Sequence, residues 1–154
     1  MSTKPRTAEA SVKKGASRPR IVDVRPAGAD HQVVSIQGGR KGLYRRQPCS
    51  DCPWRVDATG VFPAEAFAHS AATAYDMAPR SFGCHQSGSE KPATCAGFLL
   101  KGADHNLAIR LARMRGEIAD DVTDAGVQLH ANYRAMAVAN GLRDDDPVLA
   151  PCRD

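Results

Sequence analysis

Four cysteines carry the most specific chemistry in this chain. Cys49 and Cys52 stand two residues apart, and Cys84 and Cys95 follow with ten residues between them. Two thiolates at the first spacing face one ion when the backbone between them turns, and two more complete a tetrahedral shell. Gly83, Gly88 and Pro92 lie around the later pair, so that stretch reads as a loop able to wrap a metal. Four thiolates suit zinc, placed slightly ahead here, or a [4Fe–4S] cluster, which tolerates irregular cysteine spacing. A zinc ion with four cysteine ligands has no open position, so the expected role is structural and the reading leans away from an enzyme.

Other readings of the same residues compete. A thioredoxin-like redox pair needs a strand before Cys49 and a helix starting at it, and Pro53 directly after Cys52 argues against that. Four unrelated buried thiols are the bland alternative, because free cysteine is often only a small core residue. Pro48-Cys49-Ser50-Asp51-Cys52 matches half of the zinc nucleobase deaminase signature, but no His-x-Glu occurs anywhere in the chain, so the proton shuttle is missing. His85 directly follows Cys84; neighbours in extended backbone point to opposite sides, so Cys84 is taken as the ligand and His85 as a supporting group beside it. Cys152 is left as a spare thiol. His69 and His130 read as ordinary helix residues.

The elements that must hold these cysteines are short. His31–Gln37 reads as a strand ended by Gly38-Gly39. Cys49–Arg55 reads as a tight turn. Pro63 suits the first position of a helix running to about Tyr75. Cys95–Leu100 is an apolar stretch expected to pack near the site. A helix follows from Asp104 to about Arg115, where Gly116 ends it, with His105-Asn106 read as its capping region. A last helix fits Thr123 to Asn140. The expected fold is mainly α, a small metal-stapled domain with a short strand or hairpin near the metal loops.

The chain has 154 residues, 42% hydrophobic and only 5% aromatic, so its core is modest and a metal crosslink matters to it. Residues 1–30 are expected to form a disordered basic arm, residues 31–142 the metal-binding domain with its site within 48–112, and residues 143–154 a flexible tail. The net charge of +4 is unevenly spread: residues 1–46 carry +8 and residues 47–154 carry −4. Lys13, Lys14, Arg18, Arg20, Arg40, Lys41, Arg45 and Arg46 are therefore the candidates for contact with nucleic acid or an acidic protein, with Trp54 as a base-stacking group or, preferably, a buried ring. No apolar signal segment and no transmembrane run is seen, which points to a reducing cytoplasm, where thiols stay free.

Cys49-Ser50-Asp51-Cys52-Pro53-Trp54-Arg55, then Phe82-Gly83-Cys84-His85-Gln86, Cys95-Ala96-Gly97-Phe98 and His105-Asn106-Leu107-Ala108-Ile109-Arg110 occur in that order. The pattern resembles an uncharacterised bacterial and phage-associated domain family of unknown function, over roughly residues 47–112. The resemblance implies that the four cysteines act together, with His85 and Arg110 as supporting polar groups; His85, His105 and Arg110 are the candidates for a supporting group or an alternative ligand. A fainter similarity is to WhiB-like iron–sulfur regulators, whose spacing differs.

Overall fold

The structure, a computed structural model, describes residues 17–39 and 42–153. β-Branched residues on both sides of a Gly28 turn fold back into a hairpin: β1 (Arg20–Ala27) pairs antiparallel with β2 (His31–Gln37). Ile21 lies opposite Ile36 and Val24 opposite Val34, with a register shift between Ile21 and Asp23. β2 has the bounds its residue pattern predicts. β1 departs from expectation, since its residues 20–27 lie in the segment whose composition predicts a disordered arm. Their charges hide Ile21 and Val24, which pair with Ile36 and Val34 of β2. The rest of the proposed arm, residues 1–16, lies outside the described residues.

Among the described residues four short α-helices follow: α1 (Ala64–Ser70), α2 (Ala96–Lys101), α3 (Leu107–Met114) and α4 (Tyr133–Ala139). With helices of six to eight residues, a two-stranded sheet, and turns over most of the remainder, the fold is not mainly α. The reason lies in the distribution of glycine and proline, which lets no helix grow beyond about two turns. α1 stops at Ser70, short of the helix expected to reach Tyr75, and a 3₁₀ turn at Ala71–Ala74 covers the remainder; Pro63 caps α1 and is not its first residue. α3 starts three residues later than its Asp104 signal, because Asn106 is the cap: its side chain accepts from the Ile109 amide at 3.0 Å. α4 starts ten residues later than expected. Ala125 and Gly126 both adopt positive φ, and residues 127–130 run alongside Trp54–Val56 instead, with Val56 N donating to Gln128 O and His130 N to Trp54 O.

The core is organised on Trp54, which is fully buried. Its ring meets Phe82, Phe98 and Tyr133 at centroid distances of 5.9, 6.2 and 5.9 Å. It lies flat along α2, so close that a Cβ on Gly97 would fall 2.4 Å from Trp54 Cβ and one on Gly102 2.4 Å from Cη2. Glycine at both positions is therefore a packing requirement. Residues 147–153 are also built in, contrary to the flexible tail expected for 143–154. Leu149 is fully buried, Cys152 pairs with Tyr75, and Arg153 N donates to Ala74 O. The acidic run Asp144–Asp146 masks this: Asp146 caps a 3₁₀ turn at Pro147–Leu149 that turns Leu149 inward. Among the described residues no helix is long and apolar enough to cross a membrane.

Candidate metal centre

Cys49 and Cys52 are presented by two consecutive turns, in which Cys52 N donates to Cys49 O at 3.2 Å and Arg55 N to Cys52 O at 2.9 Å. Arg55 also reaches back with its guanidinium to the Cys49 carbonyl at 3.3 Å and pairs with Asp57 at 2.7 Å, which clamps the turn. Cys84 and Cys95 come from two segments that pair across Gly83 and Thr94. Cys84 N donates to Ala93 O at 2.7 Å and Cys95 N to Phe82 O at 2.9 Å. Ser87 closes the intervening loop, donating from Oγ to Cys84 O and accepting from Ala93 N. A third segment joins this ladder, with Thr94 N donating to Leu43 O and Arg45 N to Thr94 O. The pairing brings together cysteines that the sequence separates by a long loop.

The thiols meet in a row. Cys52 Sγ is 3.5 Å from Cys95 Sγ, while Cys49 lies near enough to Cys84 and Cys52 for the three to affect one another's ionisation. Cys52, Cys84 and Cys95 are buried and Cys49 is half-buried; the described residues contain no disulfide. The Cys95 thiol shares its proton with Cys52, and the Trp54 and Gly97 amides also face the Cys52 sulfur, so its pKa falls to about 7 despite burial. Cys95 is pushed up in return, by Cys52 and by its burial. Burial, with Cys84 and Cys52 adding to it, pushes Cys49 up to about 12. The resistance of Cys49 and Cys95 to ionising beside Cys52 is what a cation relieves: an ion replaces the protons and turns the repulsion into attraction.

At the half-buried end, His85 lies between Cys49 and Asp51, with Nδ1 3.8 Å from Cys49 Sγ and Nε2 3.0 Å from Asp51 Oδ1. Desolvation raises the Asp51 carboxyl more than any single interaction lowers it, but the hydrogen bond and charge of His85 and the Gln86 amide together outweigh it and draw the carboxyl below its ordinary range. Asp51 was not singled out from sequence. A lone acidic residue between two cysteines carries no spacing signal, although its place inside the turn guarantees nearness to both. His105 pairs with Asp76, its Nδ1 3.9 Å from the carboxylate, and Arg110 is exposed on α3. Asn106 is structural: besides capping α3 it donates to Thr73 O and Arg80 O. Of the basic candidates, Arg18, Arg20 and Arg45 are exposed, Arg20 bonds Gln37, and Arg46 is held by Asp121 at 2.8 Å over the Tyr44 ring. Lys13, Lys14, Arg40 and Lys41 lie outside the described residues. Trp54, fully buried, is not placed to stack on a base. Cys152 stands apart from the four, donating from Sγ to Ala71 O at 3.8 Å.

The class this defines is a small loop-rich domain whose core closes over a pair of buried thiols in contact, Cys52 and Cys95, with Cys49 and Cys84 beside them. The chain belongs to a family of unknown function (DUF6283), which it matches over residues 44–153, well beyond the stretch of the sequence motifs. No curated protein and no solved structure matches it.

Proposed function

We propose that the protein is a metal-stapled binding module in which Cys49, Cys52, Cys84 and Cys95 hold one zinc ion. The contact between the sulfurs of Cys52 and Cys95, 43 residues apart in sequence, with Cys49 and Cys84 near enough to act on one another, carries the reading. The 3.5 Å between Cys52 and Cys95 is close to the edge of about 3.8 Å expected of a tetrahedral site with Zn–S bonds of about 2.3 Å. Thiolates on different irons of a [4Fe–4S] cluster stand farther apart, which places the iron–sulfur sensor second. Amide donors on the Cys52 sulfur are the support a bound thiolate needs. With its coordination filled by protein, the ion acts as a crosslink, and the activity belongs to the surface it shapes. The charge carried by residues 1–46 favours nucleic acid or an acidic protein as the partner of that surface.

Metal analysis of protein purified without oxygen tests the reading. The expected result is colourless protein with thiolate-bound zinc whose chelation unfolds residues 44–153; a brown protein carrying iron and sulfide overturns it in favour of the cluster. Charge reversal of Arg18 and Arg20 is expected to weaken any nucleic-acid binding and to flatten its salt dependence.

A further inference from the structure

The half-buried end of the thiol row carries donors of a different kind. Cys49 Sγ, an Asp51 carboxylate oxygen and a His85 ring nitrogen all lie within 4.8 Å of one another. Asp51 is half-buried and His85 exposed, so this set opens to solvent where Cys52 and Cys95 do not. We propose that Cys49, Asp51 and His85 form a second cation site, joined to the four-cysteine site through the Cys49 sulfur, which bridges the two ions. The proposal rests on the zinc reading of the four cysteines.

Three features support it. The donor set of sulfur, imidazole nitrogen and carboxylate oxygen suits a borderline divalent ion such as zinc, whereas magnesium and calcium take oxygen ligands. The donors are held in place from outside: the Gln86 amide donates to Asp51 and to Ser50 Oγ, and the Phe62 ring packs edge-on against His85 at 5.1 Å. His31 of β2 packs in turn on Phe62 at 5.6 Å, so the hairpin backs the histidine. Finally, three protein donors leave a position for water or an anionic ligand, the arrangement of an ion that polarises what it binds. On binding, His85 exchanges one of its two present contacts for the ion, and the carboxylate and thiolate supply the compensating charge.

Cobalt(II) titration of the full-length, reduced, metal-free protein tests the proposal, with bound metal counted after excess is removed. Two equivalents are expected, the first with intense sulfur-to-cobalt charge-transfer absorption. His85→Ala, His85→Gln and Asp51→Asn should each stop at one equivalent, keep that absorption and retain the wild-type circular dichroism. One equivalent in the wild type, with affinity unchanged or about 10- to 100-fold weaker in His85→Ala, overturns the second site, makes His85 a hydrogen-bonding support of Cys49, and leaves the four-cysteine reading intact. Absence of charge-transfer absorption in every protein overturns both.

Discussion

The hairpin and the thiol domain solve the problem of a small core in opposite ways. From residue 44 onward the chain has almost no extended regular structure, yet Trp54, Phe98, Tyr133, Met136 and Leu149 are all fully buried. The hairpin has the most regular pairing in the molecule and leaves Ile21, Val22 and Val24 about half exposed. It is fixed at its turn, where Gly28 N donates to Glu65 Oε2 at 2.6 Å, His69 Nε2 bonds Pro26 O at 3.0 Å, and Ala27 is buried. It also lies ahead of the region that defines the family. Regular backbone pairing and burial are therefore separate quantities here: one region has the first, the other the second.

That contrast is open to attack by substitution, the largest effect coming from the ring at the centre. Trp54→Ala empties the space between α2, Phe82 and Tyr133 and is expected to cost about 3–5 kcal/mol in denaturant unfolding. Gly97→Ala puts a methyl into the Trp54 side chain, with an expected loss of about 1–3 kcal/mol from overpacking. A Gly97→Ala protein as stable as wild type would show that Trp54 can shift, and that the core is looser than its packing indicates. Paired substitution of Ile21 and Val24 by threonine should change stability by no more than about 0.5 kcal/mol, because exposed positions contribute little. A larger loss would mean the hairpin face is covered in solution. In the metal-free protein, stability should fall as pH rises from the ordinary cysteine range of about 9 toward about 12. In that window the unfolded Cys49 is ionised while the folded one still holds its proton, so raising the pH draws the equilibrium toward unfolding. Tm measured against pH checks the sign.

The legible parts of the molecule share a property: their signal is local. β2 was readable because Val33, Val34 and Ile36 sit between a turn and two glycines, and α1 because Pro63 opens it. The Cys49–Cys52 turn announced itself by spacing. What escaped depends on partners far along the chain. β1 is a strand because β2 lies beside it, residues 127–130 are extended because Trp54–Val56 runs alongside, and Leu149 is inside because the 71–75 turn receives it. The four cysteines could be grouped from sequence, but their order in space could not, since the contact between Cys52 and Cys95 depends on pairing of segments 82–84 and 93–95. Asp51 was hidden for the same reason: its partner His85 is 34 residues away.

The docking of residues 149–153 against the 71–75 turn bears on how the molecule is made. During synthesis all four cysteines leave the ribosome more than fifty residues before Leu149 does. The ladder that sets them needs nothing beyond residue 95, whereas Tyr133, Met136 and Leu149 arrive only near the end. The nascent chain thus has its cysteines before it has its hydrophobic interior. Under the proposed zinc reading, metal capture comes first in that order, and burial of the core then seals the ion in place.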